Sequence, residues 1–475
     1  MKPLMHFRAV GAGAVALLMS FGVAAADPFQ AVVDDTSNGA GAVTLGFSSV
    51  EELFDTLDPA VLANQIGYTK DCTSSCDAIR ADLGFRGLDM LFQFGFNSST
   101  LTLRVDGLGV STAGSDGCTV SDGIVSCAGA GATQSVARKD AIEKLKDFIK
   151  NDADFLKNLL TYAAQNTPYD PIAGNPASLM SQHMFADFNE GFTHKVSQVW
   201  ACGSSAFNFS NDQPIQVAVV GGVSDIFADA QARASQLRAQ NEIGIGALFT
   251  STQAKDPSII GAGSTVTTNS VTIPLSYTVK FDNDPSQKLR IDLPLTYTDT
   301  AGATSYAGGF GLAYTYPVSD AWTLTPGIGV GATGSEDLGS AGGVGAGSIT
   351  SAYTWRLGPT ALSMGNAVGY YKSLDIKVGN YTAGADIANT VFTNGLLLTG
   401  PDSLIAHNLV AEYYVTDTRI TGDEVYSKFY DELGVNLGWI HTDSGVIDSY
   451  LKTGVSYLKG DHDIKALKLN LTLRF

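Results

Sequence analysis

The sequence predicts an all-β transmembrane barrel of about 12 antiparallel strands at its C-terminal end, preceded by a smaller soluble α+β domain. Three observations carry that prediction. Residues 467–475 alternate without a slip, so that Leu469, Leu471, Leu473 and Phe475 share one face while Lys468 and Arg474 lie on the other. A period of two describes a strand with one oily and one wet side, and one ending on an aromatic residue is the expected barrel C-terminal signal. At the other end, Lys2 and Arg8 precede an uncharged stretch from Ala9 to Val23, and Ala24, Ala25 and Ala26 stand before Asp27. This reads as a cleavable secretory signal over residues 1–26. No other stretch approaches the roughly 18 apolar residues of a spanning helix, so a membrane-embedded mature chain must cross as strands.

From Glu242 onward the chain divides into about twelve alternating segments, each near or above the roughly 9–11 residues that a tilted strand needs to cross a bilayer. In the two clearest, Val271, Ile273, Leu275, Tyr277, Val279 and Phe281 form one apolar face, and Leu289, Ile291, Leu293, Leu295 and Tyr297 another. Pro274 and Pro294 lie inside these segments, and imperfect pairing is expected there because proline gives no hydrogen bond to a ladder.

Connection lengths alternate as well. Tight turns are expected near residues 283–285, 318–320, 357–359, 400–402 and 443–445, with longer or glycine-rich connections at 251–265, 334–341, 376–386 and 417–424 and brief ones near 300–303 and 460–462. Such barrels place tight turns in the periplasm and longer loops outside. Tyrosines and tryptophans near segment ends, among them Tyr297, Tyr306, Trp322, Trp355, Tyr413, Trp439 and Tyr457, match interfacial girdles. A soluble antiparallel sandwich also alternates, but it needs neither this asymmetry of loops nor a terminal aromatic. The lumen-facing charges are then Lys280, Lys288, Arg290, Asp292, Arg356, Glu412, Glu432, Lys452, Lys468 and Arg474. They could line a water path, or pair with one another and with an inserted plug.

Composition fits this division. The 475 residues hold 52 glycines and only 16% charged residues, with a formal net charge of -18. That length favours two domains, and the charge balance excludes nonspecific nucleic-acid binding, which requires clustered Lys and Arg.

Residues 27–223 read as the α+β domain. Ser49 and Glu52 form a capping box before Val50, Leu53, Phe54 and Leu57. Leu88, Met90, Phe92, Phe94 and Phe96 alternate as a strand, and Leu101, Leu103 and Val105 return. Ile142, Leu145 and Ile149, then Leu156, Leu159, Leu160 and Ala163, mark two amphipathic helices. Asn175 and Pro176 are expected to open a further short helix through Leu179 and Met180. Residues 224–241, alanine-rich with Arg233 and Arg238, look like a linker or pore helix leading into the barrel at 242–475.

Five cysteines in an exported chain invite a disulfide reading. Cys118 and Cys127 lie symmetrically about Asp122-Gly123, a two-residue hairpin turn, which makes them a non-hydrogen-bonded cross-strand pair whose side chains approach closely. Cys72 and Cys76 could close a second small loop, leaving Cys202 as a buried free thiol. No catalytic motif stands out: there is no Gly-x-Ser-x-Gly elbow, His-Glu-x-x-His pair, phosphate loop or dinucleotide fingerprint. His183, His194, His407, His441 and His462 are scattered. Asp461-His462-Asp463 reads as a solvated turn rather than a metal site, so no metal or cofactor is expected.

Signal, soluble N-terminal region, helix before strand one and a twelve-strand barrel ending in Phe475 together resemble the autotransporter translocator architecture over residues 224–475. The resemblance implies a Gram-negative outer-membrane protein whose barrel anchors or exports residues 27–223 across the membrane, with a helix threading the pore. It implies outer-membrane lipid and lipopolysaccharide and the barrel assembly machinery as partners, and no catalysis. The N-terminal domain departs from that family in lacking β-helix repeats and in having a helical core and cysteines. A porin-like channel plugged or regulated by its N-terminal domain is the alternative reading, and a barrel hydrolase the third.

Overall fold

Twelve long antiparallel strands close on themselves in the computed structural model, which describes residues 27–34, 42–58, 61, 77–112, 114–189, 192, 241–281, 284–319, 321–357, 360–378, 381–401, 409–443 and 446–474. The barrel strands are β8 (Glu242–Lys255), β9 (Thr265–Phe281), β10 (Asp284–Thr300), β11 (Ala303–Pro317), β12 (Trp322–Ser335), β13 (Ser340–Leu357), β14 (Thr360–Leu374), β17 (Ala388–Pro401), β18 (Leu409–Gly422), β19 (Phe429–Asp443), β20 (Val446–Gly460) and β21 (Lys465–Arg474). Each pairs with its neighbour in the chain, and β21 closes the cylinder on β8. Between β14 and β17 a small hairpin, β15 (Ile376–Val378) with β16 (Tyr381–Ala383), decorates one loop.

Alternation sorts the side chains. Ile273, Leu295, Val330, Leu433, Val455 and Leu471 point outward and are exposed, while Thr250, Thr278, Thr296, Thr350, Thr393 and Ser456 point inward and are buried. An apolar exterior around a hydroxyl-rich interior is stable only with hydrocarbon outside, so this is a membrane barrel of the outer-membrane type.

The two internal prolines are accommodated in a specific way. Pro274 and Pro294 stand directly opposite each other, and β9 and β10 keep one register through them. Their missing N–H groups fall on the outer sides of this strand pair, where pairing to β8 and β11 lapses for two residues before resuming in the same register. Glycines fill those positions: a Cβ on Gly246 would lie 3.2 Å from the Pro274 ring, and one on Gly309 3.3 Å from the Pro294 ring.

The N-terminal domain is a seven-stranded antiparallel sheet. In chain order its strands are β1 (Phe29–Asp34), β2 (Val43–Phe47), β3 (Ile79–Phe85), β4 (Leu88–Phe94), β5 (Thr100–Val105), β6 (Cys118–Ser121) and β7 (Ile124–Ala128), arranged as β2-β1-β3-β4-β5-β7-β6. Helices α1 (Val50–Thr56), α2 (Gln134–Asn151) and α3 (Ala153–Asn166) share its core, where Phe29, Phe92, Phe94, Leu101, Phe148 and Phe155 are fully buried. Ser49 caps α1 by accepting from Glu52 N at 3.2 Å, and Glu52 reaches back to Ser48 N. Asp152 ends α2 and caps α3, accepting from Phe155 N at 2.8 Å.

Two expectations need correction here. β4 stops at Phe94, and Phe96 is 64% exposed in the turn that follows. Asn175 closes a local turn by accepting from Ala177 N, and the helix begins three residues later than expected, over residues 179–189, behind Ser178. Proline fits a first helical turn, but the Asn175 side chain is satisfied before that turn begins.

Cys118 and Cys127 face each other in the β6–β7 register with their Cα atoms 4.2 Å apart and are joined by a disulfide. Asp122 and Gly123 both take positive φ between them, as a type I′ turn requires. Residues 1–26 and 224–240 and Cys72, Cys76 and Cys202 lie outside the described residues. Because the bridge pins the outermost strand of the sheet, Cys118→Ser with Cys127→Ser should cost the N-terminal domain about 2–3 kcal/mol, read as a lower urea midpoint for that domain with the barrel transition unchanged.

Candidate functional site: the filled lumen

After α3 the chain turns down into the barrel. Residues 167–189 and Phe192 lie inside the strands, and Tyr169, Asp170, Ile172, Leu179, Met180, Met184, Phe188 and Phe192 are all buried. Segments of four barrel loops hold the entrance, and in one of them Tyr426 N donates to the Ala164 carbonyl at 3.1 Å. Arg86, at the β3–β4 turn, forms a 2.7 Å ion pair with Asp170 in which both side chains are at most 1% exposed. The same guanidinium reaches the carbonyl of Leu338 in the β12–β13 loop at 3.5 Å, and Asp170 accepts from Ile172 N and Ala173 N. Tyr169 donates to Asp256 at 2.9 Å, and Asp89 accepts from Ile259 N at 2.8 Å. Val50 N donates to Asp337 O, Asp386 N to Thr161, and Lys157 pairs with Asp375.

Below this collar the plug is received by glycines on the inner wall. A Cβ on Gly342 would meet Ile172 at 2.6 Å, and one on Gly331 would meet His183 at 2.6 Å and Leu179 at 3.0 Å. Gly309 and Gly329 border the same imidazole at 3.4 and 3.2 Å. Lower still, Gly365 would meet Phe192 at 2.4 Å and Gly395 would meet Phe188 at 2.9 Å. Contacts under 3 Å leave no space for a methyl group, so plug and wall interlock at van der Waals density. Phe188, Phe192, Ala352, Leu397 and Val410 form an apolar layer across this depth.

Polar contacts fix the orientation of the plug. Thr296 donates to Gln182 Oε1 at 2.8 Å, Tyr371 donates to Asp187 at 2.9 Å, and the Lys468 ammonium sits 3.9 Å from the Phe185 ring centre, a cation–π contact. The plug is not itself a spanning strand. Burial lowers the His183 pKa to about 4 and raises that of Asp187 to about 6, so the lumen favours the uncharged form of each.

The lumen charges are mostly spent on one another. Glu432 accepts from Lys468 at 2.8 Å, Ser456 at 2.6 Å and Tyr414 at 3.0 Å. Glu412 faces Lys452 at 3.8 Å and accepts from Asn436 at 2.9 Å. Arg290 pairs with Asp292 at 2.7 Å and Lys280 with Glu242 at 2.5 Å, while Lys288 is buried on the same wall. The side chains of Arg356 and Arg474, and Phe475, fall outside the described set. Leu471 and Leu473 face outward. The Asp461-His462-Asp463 turn stacks His462 on Tyr426 and pairs Asp463 with Lys255. Among the described residues no group of three metal-ligating side chains comes together.

Sequence reasoning missed residues 167–189 and Phe192 as the lumen filler. The available signal was on the wall: glycine at alternate, inward positions 327, 329 and 331 and at 309 and 311, where a lumen lined only by water would favour larger polar side chains.

No protein-family model and no curated protein matches the chain. Among solved structures it is similar to the translocator domain of the autotransporter NalP from Neisseria meningitidis, at 10% identity and a TM-score of 0.40, over 52% of this chain and 95% of that one. The β domain of the Bordetella autotransporter BrkA gives 13% identity and 0.38, over 50% and 98%. An outer-membrane channel from Pseudomonas putida F1 gives 11% and 0.32, over 50% and 95%.

If the glycine wall is what admits the plug, Gly365→Leu should displace Phe192 while leaving the strands paired. Hydrogen–deuterium exchange of residues 179–189 should rise by at least about tenfold, equivalent to roughly 1.4 kcal/mol of lost protection, with the barrel amides unchanged.

Proposed function

We propose that this protein resides in an outer membrane as a display anchor: the barrel holds the N-terminal domain on the cell surface, and residues 167–189 with Phe192 close its lumen. The observation that carries this reading is positional. Every contact of the N-terminal domain with the barrel described above is made at one end, with the loops at 256–264, 336–339, 375–387 and 423–428. The first barrel strand starts at Glu242, at the opposite end, among the tight turns. Longer loops mark the outside of such barrels and tight turns the periplasm. With that orientation, the domain lies outside, the plug lies in the lumen and the chain begins its first strand on the periplasmic side.

A plugged lumen with internally paired charges supports anchoring over open diffusion. Removing one partner of a buried pair such as Arg86–Asp170 would leave an uncompensated charge, at about 3–5 kcal/mol, so domain, plug and loop are coupled as one closed unit. A second reading, a channel that opens by releasing the plug, rests on the same occupancy and differs in requiring that release. Catalysis is not part of the proposal. The autotransporter-like expectation of outer-membrane lipid and the barrel assembly machinery as partners is retained within it.

Protease shaving of intact cells tests the orientation. An epitope placed in the β6–β7 hairpin should disappear on protease treatment of whole cells. Full protection until the outer membrane is permeabilised would place the domain in the periplasm and end the display reading.

A further inference from the structure

Five adjacent strands carry one continuous outward row near the loop end. Asp417 stands opposite Asp431, Asp431 opposite Lys459, Lys459 opposite Lys465, and Lys465 opposite Gln253. The next outward residues toward the membrane centre are Val415, Leu433, Tyr457 and Leu467, of which the first three are at least 47% exposed. The row therefore marks the upper rim of the apolar belt, at headgroup height.

Its acidic half is neutralised within the protein, since Arg419 pairs with both Asp417 and Asp431. The basic half is not. Lys459 and Lys465 face each other across the β20–β21 ladder, and Lys255 stands just above them on β8. Asp463 is the carboxylate next to this trio and already binds Lys255 at 2.6 Å. Among the described residues, no carboxylate is within ion-pair distance of Lys459 or Lys465. Like charges placed directly opposite destabilise a strand pair, and lysine is tolerated on a lipid-facing surface only near the interface. Snorkelling accounts for a single lysine at that height, whereas three around one carboxylate complement a multivalent anion.

We propose that Lys255, Lys459 and Lys465 form a binding site for the phosphate of a phosphorylated glycolipid, whose acyl chains would lie along the outward faces of Tyr457, Leu467 and Phe249. The lipid source is favoured over a free anion because the site opens onto the apolar belt itself rather than into a cleft. The lowered pKa of Asp463, caused first by Lys255 and also by Lys465 and Lys459, agrees with a concentrated positive field there. The assignment rests on the display reading, which puts this rim in the outer leaflet.

The test uses the full chain in detergent micelles, titrated with bisphosphorylated lipid A, with the same lipid lacking both phosphates, and with inorganic phosphate. The bisphosphorylated form should bind at least about tenfold more tightly than the phosphate-free form. Lys459→Gln with Lys465→Gln should lose about tenfold, Lys459→Arg with Lys465→Arg should retain binding, and Lys372→Gln, outward on β14, should have no effect. Equal binding of the phosphate-free lipid, displacement by inorganic phosphate at concentrations similar to those of the lipid, or undiminished affinity in the double Gln variant would overturn the site. Binding to purified protein does not depend on orientation in the cell. Phosphate-dependent binding together with a protease-protected domain would therefore defeat the display reading alone, and a shaved domain without phosphate dependence would defeat this site alone.

Discussion

A cylinder of twelve strands encloses more space than its own inward side chains fill, and this constraint governs the rest of the structure. Eight-stranded barrels are just wide enough to be packed by their walls, and much larger ones leave an aqueous channel. Here the wall facing the plug is thinned to glycine at positions 309, 329, 331, 342, 365 and 395, and the missing volume is supplied by Ile172, Leu179, His183, Phe188 and Phe192. Each half covers apolar surface of the other: an unfilled lumen would expose groups such as Leu397 and Val410 to water, and an undocked plug would expose Phe188 and Phe192. The interlock makes one closed object of the barrel and the segment that enters it.

The collar above the plug works by different physics. Its contacts are ionic and hydrogen-bonded, and its central pair, Arg86–Asp170, is almost completely buried. Such pairs contribute less net stability than their geometry suggests, because desolvation offsets attraction, but losing one partner is severe. Their value lies in specificity. Arg86 reaches the β12–β13 loop through Leu338 O and the plug through Asp170, so the domain has one seat on the barrel and the plug follows from it.

Much of this was legible in the sequence. The twelve-strand antiparallel barrel and the α+β domain before it follow from period-two and helical patterning, because lipid and core both impose an apolar face. The disulfide partners Cys118 and Cys127 follow from turn chemistry at Asp122-Gly123. The plug was not legible. Residues 167–189 and Phe192 carry little regular sequence pattern, and what buries them is a wall assembled from β11, β12, β13, β14 and β17, strands that meet only after the barrel closes. The prolines were legible as an anomaly but not as a solution, since the compensating glycines at 246 and 309 lie on other strands. The lysine rim was hidden for the same reason: Lys255 is about two hundred residues from Lys459 and Lys465 in the chain, and only closure of β21 on β8 makes them neighbours.

The central claim, that the chain's own residues 167–189 and Phe192 occlude its barrel, is tested most directly by electrical recording in planar bilayers. The full-length protein should stay closed, and deletion of residues 167–192 should produce a large, steady conductance from a barrel that still migrates as folded. A full-length protein conducting as freely as the deletion would contradict it.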